Sequence, residues 1–244
     1  MSKNSFPKLA LCLSGQPRSY FDAYQYVKKN LLDHFSVDVF AHSWKSSNQL
    51  NQLKIYEEIN AIYSPLLLLF DKPLNTNINS DMLVTNSSHP ANFCTSMFYS
   101  IQKADHFRVV TEATLSKKYD FVIRSRFDLA LNSVIDFTKL EKGKIYVSKD
   151  GDGPNPLLND QFAIADPDTM NIYSSTYLFL RYHYDRGVPL CGHSMLEAQL
   201  KLFNIPVERI DINHPFQDGK FNIGRHSLIR SDMDKWVDIK IWGY

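Results

Sequence analysis

Three short strings carry most of the residues that could do chemistry. In Tyr119-Asp120-Phe121-Val122-Ile123-Arg124-Ser125-Arg126-Phe127-Asp128-Leu129 an apolar run ends by discharging two arginines and a carboxylate within five residues. Buried without partners, such charges cost on the order of several kcal/mol each, so something must compensate them. In the two-residue period of a strand, Arg124, Arg126 and Asp128 share one face. A structural Arg–Asp pair is one explanation. A bound diphosphate with its metal ion is the other: arginine neutralises phosphate, and Asp128, a hard oxygen ligand, holds Mn²⁺ or Mg²⁺.

The second string, Ser14-Gly15-Gln16-Pro17-Arg18-Ser19, follows the apolar run Leu9 to Leu13 and precedes a helical pattern. Free backbone N–H groups at a strand-to-helix turn receive anions, and Arg18 adds a fork-shaped cation suited to phosphate. An ordinary turn with an exposed arginine explains the same residues, since the G-x-x-x-x-G-K of a P-loop is absent. The third string, Asn159-Asp160-Gln161-Phe162, is a polar corner before an apolar run. It either presents Asp160 to an acceptor hydroxyl or uses it to cap the turn. Glu197 points either at a cleft or at water. His42-Ser43-Trp44 offers a stacking face and an N–H donor to a base or ribose, or simply packs Trp44 in the core. No H-E-x-x-H, G-x-S-x-G or G-x-G-x-x-G string occurs, so zinc hydrolase, serine hydrolase and dehydrogenase readings have no support.

The elements that must position these residues alternate. Leu9 to Leu13 and Val37 to Ala41 read as strands buried on both faces, with a helical pattern over Tyr20 to Leu32 between them. Asn51 to Ile62 is helical, Pro65 to Phe70 a strand, and Asp71 to Pro90 a long polar loop. Phe93 to Lys117 is the longest helix and Tyr119 to Arg124 the next strand. Further strands are expected over Lys144 to Ser148, Gln161 to Ala165 and Pro206 to Ile212, with helices over Asp166 to His183 and His193 to Phe203. The alternation predicts a single α/β domain over 1–244, a mostly parallel, Rossmann-like sheet with helices on both faces. Ligands of such sheets bind beyond the carboxyl ends of the strands.

Composition narrows the partners. The 244 residues include 44% hydrophobic and 13% aromatic ones, enough to bury a core. Lys and Arg number 27 against 26 Asp and Glu, and the net charge of +1 gives no field for nucleic acid or anionic membrane. Cys12, Cys94 and Cys191 lack paired metal-ligand spacing and read as reduced thiols. No apolar run is long enough for a signal or transmembrane segment, so the expected location is the cytoplasm, and Asn86-Ser87-Ser88 reads as an accidental sequon.

Together LALCLSGQPRSY, DVFAHSW, MFYSIQKAD, YDFVIRSRFDL and NDQFAIADPDTMNIYSSTY resemble a family of small GT-A-type glycosyltransferases of bacterial surface-polysaccharide clusters and large viruses. The resemblance implies a nucleotide-binding half over approximately 1–130 and an acceptor-binding half over 131–244. It implies that Ser14, Gly15, Gln16, Pro17 and Arg18 hold the nucleotide, and that Tyr99 and Lys103 face the cleft. Asp128 takes the place of the last aspartate in the metal-binding D-x-D of many GT-A enzymes, although here the string reads R-x-D. The partners it implies are a nucleotide-sugar donor and a glycan acceptor. Arg18, Arg124, Arg126 and Asp128 would stabilise the leaving diphosphate. An inverting transfer also needs a carboxylate base, for which Asp160 comes first and Glu197 second. The rival functions are a nucleotidyltransferase, against which the single glycine of the first loop counts, and a catalytically silent nucleotide- or sugar-binding module, which R-x-D favours.

Overall fold

The computed structural model describes residues 6–45, 49–74, 91–149, 158–210 and 212. Its elements follow the expected alternation: β1 (Leu9–Ser14), α1 (Tyr20–Val27), β2 (Val37–Trp44), α2 (Gln49–Tyr63), β3 (Leu67–Asp71), α3 (Ala91–Leu115), β4 (Phe121–Ser125), β5 (Ile145–Ser148), β6 (Phe162–Ala165), α4 (Pro167–Ser174), α5 (Thr176–Tyr184), α6 (Gly192–Leu202) and β7 (Val207–Ile210). The polar stretch expected between Asp71 and Pro90 lies mostly outside the described residues, as does Asn86-Ser87-Ser88.

All seven strands join one sheet in the order β3-β2-β1-β4-β6-β5-β7. β3, β2, β1 and β4 are mutually parallel; β6 runs antiparallel to both of its neighbours, β4 and β5, and β5 is parallel to β7. The chain steps outward from β1 to β2 and β3, returns through α3, and restarts at β4 on the other side of β1. β1 and β4 therefore flank a topological switch point, where open α/β sheets leave a crevice outside the strands' carboxyl ends. The reversal of β6 adds something the periodicity did not reveal. Because Phe162 pairs with Ser125, the residues leading into β6 arrive at the same edge at which β4 ends.

The pattern of alternate residues explains the two layers. Leu9, Leu11 and Leu13 of β1 face a cluster with Tyr20, Val27, Ile59 and Tyr63 of α1 and α2. Ala10 and Cys12 face the other way, into a cluster with Phe98, Ile101 and Ala104 of α3 and Met195 and Leu196 of α6. Small residues beneath α3 let the longest helix lie close to the sheet. Two expected helices are interrupted. The first passes into a π-helical turn over Lys28–Leu32, where buried Asn30 donates to the Leu131 carbonyl at 2.6 Å. The span from Asp166 to His183 is divided at Ser175 into α4 and α5; the Ser175 hydroxyl donates to the Ile172 carbonyl and accepts from Gln199 Nε2 at 2.9 Å.

The helical layer is pinned by a buried cation. Arg108 has no exposure; its Nε donates to Asp105 at 2.7 Å, and its two terminal nitrogens donate to Glu112 and Asn171. Asp105 also accepts from the Ser174 hydroxyl at 2.6 Å, which ties α3 to α4. Arg108→Met would leave two carboxylates without their counter-charge. Loss of one partner from a buried network costs about 3–5 kcal/mol, so the urea midpoint of this variant should drop by that equivalent with an unchanged m-value.

Candidate active site

Parallel packing puts the ends of β1, β2, β3 and β4 on one edge, and each end carries polar groups. Gly15, at φ +105°, turns the chain out of β1 in a conformation that favours glycine. Its N–H donates to the Ser100 hydroxyl of α3 at 2.8 Å. That hydroxyl also lies 2.8 Å from His42 Nδ1, while His42 Nε2 lies 3.2 Å from Asp71 Oδ2 at the end of β3. The partners fix the tautomer: a carboxylate can only accept, so Nε2 carries the hydrogen and Nδ1 accepts from Ser100. A single chain of donors thus runs from the first turn through α3 and β2 to Asp71.

His42 has no exposure, and burial, reinforced by Lys103, pulls its pKa down to about 4 against the opposing pull of Asp71. The ring is neutral at physiological pH. Tyr99 donates its hydroxyl to the same Asp71 oxygen at 3.2 Å, and burial followed by that carboxylate pushes its pKa up to about 12. Lys103 Nζ stands 5.3 Å from the centre of the Tyr99 ring. Trp44 is buried, stacked on Tyr99 at 5.5 Å and set edge-on to His42 at 5.0 Å. Both of its alternative readings began from a strand end; the packing one is what the contacts show, with one ring face already covered.

At the switch point, Leu13 of β1 pairs with Ser125 of β4, so the chain enters the Ser14–Arg18 turn at the same level of the sheet at which it leaves β4 for Arg126. Pro17 is buried, and Arg18 forks onto Gln16 Oε1 through Nε at 2.8 Å and Nη2 at 2.6 Å. Arg126 forks onto Asp128, Nε to Oδ1 at 2.7 Å and Nη2 to Oδ2 at 2.8 Å. The Asp128 side chain has no exposure, whereas that of Arg126 keeps 26%. Burial pulls the Arg126 pKa down, but Asp128 and then Asp160 more than offset it, so the net shift is upward. Arg124 is buried; its Nη1 donates to the Asp160 carbonyl, and its Nε has no hydrogen-bond partner among the described residues. Burial lowers its pKa, yet a guanidinium stays charged in proteins.

Asp160 enters this edge through the reversed β6. Its carboxylate lies over the first turn of α6: a Cβ built on Gly192 would come within 2.0 Å of Asp160 Oδ2 and 2.9 Å of the Met97 methyl. Only a residue without a side chain admits the carboxylate there, where the first-turn N–H groups and helix dipole favour negative charge. Glu197, the second carboxylate considered as a base, lies elsewhere. The buried positions of α6 are Met195, Leu196, Gln199 and Leu200, so the helical phase turns Glu197 to solvent, where it pairs with Lys201 at 2.6 Å.

Asp71, Ser100 and Gly192 were not singled out from the sequence. Asp71 had a usable signal, a carboxylate closing an apolar strand; Ser100 and Gly192 matter only through contacts across the fold. The fit to a divalent cation is poor at Asp128, because both of its oxygens are engaged by Arg126. Among the described residues, no group of three or more His, Cys, Asp or Glu side chains could hold a metal ion, and no helix is long and apolar enough to cross a membrane.

A family model described as a domain of unknown function (DUF7796) matches residues 4–217. No curated protein is similar to the chain in sequence. Among solved structures, the apo-form glycosyltransferase GlyE of Streptococcus pneumoniae TIGR4 aligns over 84% of this chain and 45% of its own, with 12% identity and a TM-score of 0.43. The chain thus spans less than half the length of that protein.

His42 makes one measurable demand. Its folded pKa of about 4 lies below the unfolded value of 6.5, so the unfolded chain binds the extra proton between those pH values. The stability contribution is complete above pH 6.5 and is lost progressively toward pH 4, by roughly 3 kcal/mol in all. Urea unfolding from pH 7 to 5 should show this slope in the wild type and a flatter one in His42→Gln.

Proposed function

The chain belongs to the DUF7796 family, and from the groups gathered at its sheet edge we propose that it is a glycosyltransferase of the GT-A type, moving a sugar from a nucleoside-diphosphate donor to a hydroxyl acceptor. The observation that supports this reading is that the turn leaving β1, the cations that follow β4 and the Asp160 corner that precedes β6 all lie on one edge of the sheet, with Arg124 bonded to the Asp160 carbonyl and the Asp160 charge acting on Arg126. A diphosphate needs cations and N–H donors, and an acceptor hydroxyl needs a nearby carboxylate. Groups of both kinds lie on this edge, which supports the reading.

In the reaction the bond from the anomeric carbon to the β-phosphate oxygen breaks, and its electron pair leaves with the nucleoside diphosphate. The acceptor oxygen forms the new bond to that carbon, and its proton passes to the Asp160 carboxylate. Arg126 and Arg18 stabilise the charge that develops on the leaving diphosphate, with the buried charge of Arg124 behind them. The chain from Gly15 through Ser100 and His42 to Asp71 holds the first turn in place, which is the positioning such catalysis requires.

A second reading, a nucleotide- or sugar-binding module without turnover, draws on the engagement of Asp128 by Arg126. Incubation with a panel of nucleotide-sugars and glycan acceptors distinguishes the two. Transfer or donor hydrolysis supports the enzyme, whereas heat protection without nucleotide release supports the module; neither effect with any donor would sink both.

Two variants probe Asp160. Asp160→Asn removes the base but keeps the shape, so turnover should fall about 10²-fold or more while donor affinity persists. Gly192→Ala gains helix propensity but forces the carboxylate aside; its thermal midpoint should stay within a few degrees, or about 1 kcal/mol, while turnover falls with that of Asp160→Asn. Full turnover in both variants would remove Asp160 as the base.

A further inference from the structure

The pair that closes β4 presents the wrong partner to a divalent cation and the right one to an anion. A hard dication takes oxygen ligands, several of them, and needs at least one carboxylate free to coordinate. Asp128 has no exposed side-chain surface, and both of its oxygens accept from Arg126, at 2.7 and 2.8 Å. A cation could reach those oxygens only by displacing the guanidinium. It would then stand beside that displaced charge and near Arg124, a buried guanidinium whose bond is to the Asp160 carbonyl. Like charges crowded into a partly desolvated site repel strongly.

Approached from solvent, the same pair looks different. Arg126 keeps 26% of its side-chain surface and Asp128 none, so an incoming group meets Arg126 before Asp128. Two of its five N–H groups are committed to Asp128, which fixes the plane of the fork; the other three take no part in that pair. Arg126 follows β4 directly after Ser125, the partner of Leu13, so its backbone leaves the sheet at the switch point where the Gly15 turn also begins. The fork is a cation whose orientation is set before the ligand arrives, which is the property a coordinated metal ion would otherwise supply.

We infer that the Arg126–Asp128 pair takes the place of a divalent cation, so that Arg126, clamped by Asp128, binds the donor diphosphate without metal. The inference rests on the nucleotide-sugar reading above and specifies how that site is charged. Asp128 is then a positioning residue and Arg126 the group that touches phosphate.

The test is calorimetric titration of UDP and of GDP into the protein, once with EDTA and once with Mn²⁺. For whichever nucleotide binds, the wild type should give the same Kd within about twofold in the two buffers. Arg126→Lys keeps the charge but loses the fork, and should weaken binding in EDTA by about tenfold or more. Asp128→Asn leaves a single acceptor for the fork and should weaken binding to a smaller extent, while ³¹P spectra of the bound diphosphate shift relative to the wild type. Wild-type binding that appears only with Mn²⁺, or tightens tenfold with it, overturns the inference while leaving the donor reading intact. Unchanged affinity in Arg126→Lys also overturns it. Failure of both nucleotides to bind in either buffer, together with no transfer from the donor panel, ends the donor reading and the inference with it.

Discussion

A strand buried on both faces cannot end in charges unless the surrounding fold answers them, and β4 ends in three. That constraint organises the centre of the molecule. Arg126 is answered locally, by the carboxylate two residues on, in a bidentate fork that leaves neither Asp128 oxygen idle. Arg124 is answered from a distance, by the backbone carbonyl of Asp160 at the entry to β6. The second solution requires β6 to run against its neighbours and to begin where β4 stops. It also draws the Asp160 corner, and with it the first turn of α6, to the edge of the sheet where the first turn of the chain already lies.

The opposite flank of the edge is held by neutral groups. His42 gains no charge from its carboxylate neighbour because desolvation outweighs Asp71 and leaves the ring neutral, a donor on one side and an acceptor on the other. Neutrality lets it pass orientation from Ser100 to Asp71 without adding another cation to a site that has several. Tyr99 closes the arrangement by donating to the same Asp71 oxygen and stacking on Trp44. The two flanks differ in kind, with cations and Asp160 on one side and, on the other, a buried polar chain from Gly15 through Ser100 and His42 to Asp71.

Much of this was readable in one dimension. Continuous apolar runs such as Leu9 to Leu13 identified strands buried on both faces, and their alternation with helical patterns identified the parallel sheet. The rule that ligands gather beyond strand ends then selected the Gly15 turn, His42 and Arg126, which arrive at one edge; Asp160, read as a polar corner before an apolar run, reaches the same edge because β6 is reversed. The rule also covered Asp71, whose carboxylate ends β3. Short-range periodicity misjudged elements whose shape depends on distant partners: the π-helical turn where Asn30 reaches the Leu131 carbonyl, and the break at Ser175 where Gln199 binds.

By itself the sequence determined which segments are buried, which of them end in charge, and therefore where cations and carboxylates must be compensated, because hydrophobic period and desolvation cost are properties of a local string. The tertiary structure alone decided who compensates whom. The direction of β6, the seat of Asp160 over Gly192, the outward turn of Glu197 and the Ser100 link between Gly15 and His42 depend on strand order and helical phase across tens of residues. Those distances are set by packing the whole sheet, and no window on the chain contains them.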